Sequence, residues 1–137
     1  MGLILDSSIL IAGERRGETV KQAIQRVRAA HGDMESALSA ISIVELTHGI
    51  YRAKTDADRV RRKAFADEPA RDMIVHPVSL GIAQLAGRIE GEQAAQGNTI
   101  AFEDLVIGAT ALYLGFDVAT INVRHFQRIP GLNVVTL

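Results

Sequence analysis

Short apolar runs alternate with amphipathic segments along the entire sequence. Runs typical of buried strands occur at residues 2–5, 37–40, 73–78, 116–121 and 134–135. Apolar residues at helical spacing occupy residues 20–27, 43–53, 82–89 and 105–114, and residues 56–66 form a polar helical segment. This alternation predicts an α/β fold with a mostly parallel central sheet.

The length and composition exclude several protein classes. The chain has 137 residues and a net charge of −1, which is typical of one domain without a strongly basic surface. It contains no cysteine, so disulfide scaffolds, thiolate metal sites and cysteine nucleophiles are excluded. No apolar run approaches the ~20 residues of a membrane span, and the N-terminus lacks a signal-peptide pattern. We therefore expect a cytoplasmic protein with no membrane association.

Three carboxylates stand where a strand or loop segment gives way to a helical one. They are Asp6, Glu45 and Asp104. Because the carboxyl ends of parallel strands meet at one edge of a sheet, we expect these side chains to converge there.

Each acid, taken alone, also has a structural explanation. Asp6 fits the N-cap of a helix that begins at Ser7, and Ser42 with Glu45 fits a capping box. Asp104 lies in a first helical turn, where the helix dipole favours a negative charge. Capping does not explain why Asp6 and Asp104 lie in otherwise apolar surroundings. Neighbouring carboxylates in a partly desolvated cleft repel one another and cannot all ionise at low cost. A divalent cation such as Mg²⁺ reverses that repulsion, so the three acids together predict a metal site.

Other polar patterns carry less information. The Glu45-x-x-His48 spacing occurs in carboxylate-bridged metal bundles, but a single copy in an α/β chain favours a packed or exposed histidine. The basic residues 59–63 follow Asp56 and Asp58, so we expect a solvated helix face there. No Walker A or G-x-G-x-x-G sequence occurs, which leaves those kinds of nucleotide binding unsupported.

Four segments together resemble a known family. They are LDSSIL at residues 5–10, S-x-V-E-L-x-x-G at 42–49, G-x-x-I-x-x-x-D-x-x-I-G-A-T-A at 97–111 and T-I-N-x-R-H-F-x-x-I-P-G-L at 120–132. Their order and spacing resemble those of the PIN-domain ribonucleases and, among these, the VapC toxins of toxin–antitoxin pairs. The resemblance runs through nearly the whole chain.

The resemblance implies a fold and an activity. The fold is a three-layer α/β/α sandwich, with residues 1–137 forming a single PIN domain. The activity is metal-dependent hydrolysis of RNA phosphodiester bonds by the toxin of a toxin–antitoxin pair. Asp6 and Asp104 would bind Mg²⁺ or Mn²⁺ directly, and Glu45 would bind the ion through water or orient the attacking water.

The resemblance also implies partners. These are an RNA substrate, a small VapB-like antitoxin and a second copy of the chain in a homodimer. Ile50, Tyr51 and nearby apolar residues could extend beyond a single core and serve the dimer. The antitoxin would lay an apolar helix in a groove and place a basic side chain near the acids.

One departure concerns the fourth corner of the family's acid site. Many relatives have an acid where this chain has His125, and the nearby polar residue is Asn122. Glu103 could supply the missing fourth acid only if it faced the same cleft as its neighbour Asp104. Adjacent residues of a helix point about 100° apart, so it need not do so.

The remaining polar residues near these motifs are assigned to substrate positioning. Ser8 and Asn122 would be neutral donors to the phosphate, and His125 would lie beside them. Arg124 and Arg128 would contact the RNA backbone, which would offset the near-neutral net charge locally.

Two other functions stay open. A phosphoacceptor signalling domain would need a lysine near the C-terminus, but the only lysines are Lys21, Lys54 and Lys63. A PIN-like module that binds RNA or a partner without cleavage remains possible because of His125.

Overall fold

The computed structural model describes all 137 residues as helices on both sides of one sheet. The strands are β1 (Gly2–Leu5), β2 (Glu35–Ser39), β3 (Ile74–His76), β4 (Asp117–Thr120) and β5 (Val134–Thr136). The helices are α1 (Ser7–Arg15), α2 (Val20–His31), α3 (Ala40–Tyr51), α4 (Asp56–Asp72), α5 (Leu80–Ala95) and α6 (Phe102–Leu114). A 3-10 helix follows β4 at Val123–Phe126. None of the helices is both long and apolar enough to cross a bilayer.

The five strands form a single sheet in the order β3-β2-β1-β4-β5. Every pairing is parallel, so the sequence-based expectation of a mostly parallel sheet is confirmed and extended to the whole sheet. The central strand β1 pairs with β2 on one side and β4 on the other, with Ile4 opposite Ala37 and Val118. The end of β1 therefore points to the middle of the carboxyl edge of the sheet.

Alternate strand residues pack into two separate core layers, as the two-residue period of a strand requires. On one face, Ile4 and Val118 pack with the apolar residues of α5 and α6. On the other face, Leu3 and Leu5 pack with helices α1 to α4. The two layers together make the expected α/β/α sandwich.

Local sequence signals account for several helix ends. Thr19 and Gln22 form a reciprocal capping box at the start of α2. Gly115 ends α6 with a φ of +71°, a left-handed conformation that favours glycine. The polar helix α4 is longer than the sequence pattern predicts, because it continues past Ala66 through Pro69 to Asp72.

Candidate active site

Asp6 lies at the end of β1 and is only 4% exposed. Its amide donates to the carbonyl of Ala119 at 2.9 Å, which ties it to the neighbouring strand β4. Its Oδ2 accepts hydrogen bonds from Ser8 Oγ and Thr120 Oγ1, both at 2.8 Å. Asp6 forms no ion pair, so a buried carboxylate is held by hydroxyl groups alone. A buried charge without a cation nearby is costly, which makes this position a candidate for an added cation.

Glu45 and Glu103 face each other beside Ser7. The Ser7 hydroxyl donates to Glu45 Oε2 and, at 3.3 Å, to Glu103 Oε1. The two carboxyl groups lie close enough for each to shift the pKa of the other, as a hydrogen bond between them would. Because an ionised carboxylate only accepts hydrogen bonds, such a bond requires a proton on one of the two.

The proton of this pair belongs to Glu103. Burial raises the pKa of Glu103 to about 8, and its hydrogen bond with Glu45 and the charges of Glu45 and Asp6 act in the same direction. The hydrogen bond from Glu103 lowers the pKa of Glu45, with further contributions from Ser7 and the Arg52 charge. Near neutral pH, Glu103 is the donor and Glu45 the charged acceptor.

Asp104 completes the group from the first turn of α6. Burial raises the pKa of its carboxyl, the Asp6 charge adds to the effect, and His125 opposes it. Nδ1 of His125 lies 3.4 Å from Oδ2 of Asp104, and the histidine side chain is half exposed. The charges of Asp6 and Glu45 both raise the pKa of Asp104, so the three acids lie near enough to one another to interact electrostatically.

The capping explanations for two of the acids are wrong. Asp6 is the N-cap residue of α1, but its side chain makes no capping hydrogen bond and accepts instead from Ser8 and Thr120. The helix that contains Glu45 begins at Ala40 with Ser39 as its cap, so the expected capping box with Ser42 does not form. Both carboxylates are therefore free of a capping role.

Of the other candidate residues, Ser8 and His125 contact the acids, whereas Asn122 and Arg124 do not. Ser8 bonds Asp6, and His125 meets Asp104. Asn122 is exposed, and its backbone amide donates to Thr120 Oγ1 at 2.9 Å. Arg124 is an exposed residue of the 3-10 helix.

Three residues of the site were missed or undervalued in the sequence. Adjacent residues of a helix point about 100° apart, yet Glu103 and Asp104 both reach the cluster from the first turn of α6, where both side chains are half-buried. Ser7 and Thr120 were present in the family-like motifs, but no role was predicted for either. The register of β4 against β1 was the available signal for Thr120, because it places that residue beside Asp6.

The donor set has the chemistry that Mg²⁺ or Mn²⁺ requires. All four acids offer hard oxygen ligands, and no lysine or arginine forms an ion pair with any of them. As the side chains stand, no group of three or more Asp, Glu or His residues is close enough together to hold a metal ion between them. Mg²⁺ in proteins is commonly held by one or two carboxylates together with waters, so the residues present fit this ion.

The family of the chain follows from a comparison with protein-family models. The model of the PIN domain matches residues 3–132. The chain belongs to the PIN domain family. Ribonuclease VapC1 of Rickettsia felis is similar to this chain, with 33% identity over 137 residues. The alignment covers the whole of this chain and 97% of that protein. Ribonuclease VapC of Rickettsia bellii is 31% identical with the same coverage.

The fold of this PIN domain is also found among solved structures. A chain in the crystal structure of VapBC2 from Rickettsia felis bound to a promoter DNA fragment superposes with a TM-score of 0.84 at 20% identity. The match covers all of this chain and 99% of that one. The expected PIN-like architecture is therefore confirmed.

Proposed function

We propose that the chain is the ribonuclease toxin of a toxin–antitoxin pair and hydrolyses RNA phosphodiester bonds with the help of Mg²⁺ or Mn²⁺. The observation that carries the proposal is the meeting of Asp6, Glu45 and Asp104 at the carboxyl edge of the sheet. The names of the two Rickettsia relatives, both ribonucleases, support the same activity. The proposal treats residues 1–137 as one domain.

The acids have different tasks in this proposal. Asp6 and Asp104 hold the divalent ion, because carboxylate oxygens are the hard ligands that Mg²⁺ and Mn²⁺ prefer and neither side chain has a lysine or arginine partner. A bound ion of this kind lowers the pKa of its water and stabilises charge developing on the phosphate. Glu45 takes the proton of the attacking water, since its carboxylate stays charged through the hydrogen bond from Glu103.

Neutral and basic groups around the acids position the substrate. Ser8 and Thr120 fix the carboxylate of Asp6 through hydrogen bonds to a single oxygen, Oδ2. Asn122 and His125 stand at the fourth corner as donors to a phosphate oxygen, with His125 already beside Asp104. Arg124 contacts the RNA backbone next to them.

The direct test is cleavage of RNA with and without the ion. Purified protein is treated with EDTA, dialysed, and assayed on a mixture of total RNA with Mg²⁺, Mn²⁺ or Ca²⁺ added back. We expect no cleavage in EDTA and recovery with Mg²⁺ or Mn²⁺. Full activity in EDTA would contradict the metal role. RNA binding without cleavage under every condition would instead favour a non-cleaving PIN-like module.

A VapB-like antitoxin and a homodimer complete the proposal, together with a cytoplasmic location. Tyr51 is 77% exposed and supports an apolar contact outside the core, whereas Ile50 is buried within the chain and contributes nothing to such a surface. Light scattering at micromolar concentration should give the mass of a dimer, and a constant monomer mass would contradict it. Co-expression with the small neighbouring reading frame should yield a stable complex that suppresses cleavage.

A further inference from the structure

The arginines of the chain fall into two sets. Most form an ion pair with a carboxylate, namely Arg16, Arg26, Arg28, Arg59, Arg61, Arg71 and Arg88. Five form no ion pair, namely Arg15, Arg52, Arg62, Arg124 and Arg128, and of these Arg52 acts on Glu45 through its charge without a direct contact. A guanidinium whose charge is not matched inside the protein is available to an anionic ligand.

Three of the unpaired arginines line one groove, which we call the arginine groove. It has a volume of about 420 Å³ and lies between α1, α3 and α4. Arg15 comes from the last turn of α1, Arg52 from the end of α3, and Arg62 from α4. Two carboxylates also line the groove: Glu14, which pairs with Arg61, and Glu45, through which the space is continuous with the acid cluster.

Arg62 shows how the groove differs from the outer surface of α4. Its neighbours Arg61 and Lys63 pair with carboxylates, as expected for a solvated helix face. Arg62 is half-buried and donates instead to the carbonyl of Gly49 at 2.7 Å, which fixes the guanidinium at the groove wall. The expectation of a uniformly solvated face is therefore wrong at this one residue.

The two remaining unpaired arginines lie near His125 in sequence. Arg124 precedes His125 and Arg128 follows it by three residues; both arginines are exposed, and His125 contacts Asp104. Unpaired positive charge therefore occurs in the groove that Glu45 lines and in the segment that reaches Asp104. A chain of phosphates that crosses the acids would meet arginines in both directions.

We propose that the arginine groove binds the sugar–phosphate backbone of the RNA strand next to the scissile phosphate, with Arg15 and Arg52 contacting phosphates. This assignment rests on the proposed ribonuclease function and adds a substrate-binding surface to it. Arg62 holds the wall of the groove through Gly49. Contacts of this kind give affinity without base specificity.

The test measures RNA binding without cleavage. Asp104→Asn protein is titrated in EDTA with labelled single-stranded oligouridine and with bulk tRNA at several salt concentrations. Arg15→Gln and Arg52→Gln are each expected to weaken binding about tenfold at low salt, as for a lost charged hydrogen bond. The slope of log K against log salt should fall by about 0.7 for each arginine removed. Arg16→Gln is the matched control, because Arg16 is adjacent to Arg15 but already pairs with Glu18.

Two further measurements separate phosphate binding from a structural role. Arg15→Lys should keep most of the salt slope, because it preserves the charge that Arg15→Gln removes. In the otherwise unaltered enzyme, Arg15→Gln should raise KM about tenfold with little change in kcat. Unchanged melting temperatures exclude a folding defect.

Several outcomes would overturn the proposal. Salt slopes that are the same for Arg15→Gln, Arg52→Gln and Arg16→Gln would do so, as would the absence of any RNA binding at low salt. A groove variant that loses the antitoxin but binds RNA normally would assign the groove to the protein partner. Arginine-dependent binding without metal-dependent cleavage would leave the groove assignment standing and contradict the proposed hydrolysis instead.

Discussion

The acid cluster and the outer surface of α4 place charge in opposite ways. In the acid cluster, four carboxyl groups from the end of β1, α3 and α6 lie near one another, and no lysine or arginine pairs with them; His125 is 3.4 Å from Asp104. On α4, Asp56, Arg59, Lys63 and Asp67 pair with opposite charges three or four residues away. The first arrangement costs stability through repulsion, and the second contributes to it weakly.

This difference separates charge that serves the fold from charge that serves a ligand. A fold gains nothing from like charges in a half-buried cleft, so such a cluster persists only if something else requires it. In the α4 ion pairs, each charge is balanced by its partner, so no unpaired charge is left there to bind a ligand. Neutralising a charge in the acid cluster should therefore lower activity. Neutralising a charge in one of the α4 ion pairs should lower stability slightly and leave activity unchanged.

The largest effect is expected from Asp6→Asn and Asp104→Asn. Each variant should lower the cleavage rate by at least about 10³-fold, since several kcal/mol of transition-state stabilisation depend on the bound ion. The asparagine at position 6 can still accept hydrogen bonds from Ser8 and Thr120, so the melting temperature should stay the same or rise. Fluorogenic RNA cleavage and thermal melting measure the two quantities.

The matched control is Asp67→Asn, which makes the same chemical change on the surface of α4. Asp67 is exposed and pairs with Lys63. Its variant should cleave RNA at the original rate. An Asp6→Asn protein that is equally active would remove the distinction between the two regions, and one that unfolds would return Asp6 to a structural role.

The next effect is a pH dependence of stability that arises from Glu103. Its pKa rises from 4.5 to about 8 on folding, so between these values the folded state binds the extra proton. The free energy of unfolding of the metal-free protein should therefore fall as the pH rises from about 4.5 to about 8. Glu103→Gln keeps a hydrogen-bond donor to Glu45 and should remove most of this decline, leaving the part due to Asp104, whose pKa is also raised.

Urea denaturation in EDTA at several pH values measures the decline. Glu92→Gln is the control, because Glu92 is exposed and pairs only with Arg88. Its pH profile should match that of the original protein. Parallel profiles for the original protein and Glu103→Gln would show that Glu45 and Glu103 do not share a proton.

The sequence was sufficient for the fold and for three of the acids. Short apolar runs indicate buried strands, and apolar residues at helical spacing indicate the buried faces of helices. Their alternation along the chain predicts a parallel sheet with helices on both sides. Asp6 directly follows β1, Glu45 lies in the second turn of α3 after β2, and Asp104 lies in the first turn of α6. The topology therefore brings all three toward one edge of the sheet. These features depend on local order along the chain.

The features that the sequence did not predict depend on contacts between side chains of different helices and strands. The contact of Glu103 with Glu45 is set by how α6 packs near α3, and no local pattern encodes it. The start of α3 was also misjudged, because Ser39 and Ser42 are both good caps and only the end of β2 decides between them. Arg62 looks like its neighbours in sequence and differs only in what its side chain meets.

A smaller effect is expected at the fourth corner. His125→Asp adds a carboxylate beside Asp104, where the histidine now lies 3.4 Å away. The added negative charge should tighten Mn²⁺ binding by about tenfold, because the affinity of such sites follows the number of charged ligands. Isothermal titration with Mn²⁺ measures the change, with Asn122→Asp as the comparison. If only Asn122→Asp tightens binding, the fourth corner belongs to Asn122.

The smallest effect should come from the α4 surface. Lys63→Gln breaks the pair with Asp67, and both side chains are more than half exposed. Exposed pairs four residues apart contribute about 0.3–0.5 kcal/mol, because water and salt screen them and both side chains lose freedom. We expect a stability loss of that size, no change in cleavage, and disappearance of the loss in high salt. A tenfold loss of activity in Lys63→Gln at unchanged stability would mean that paired charges on α4 also serve the substrate, and the contrast between the two regions would no longer hold.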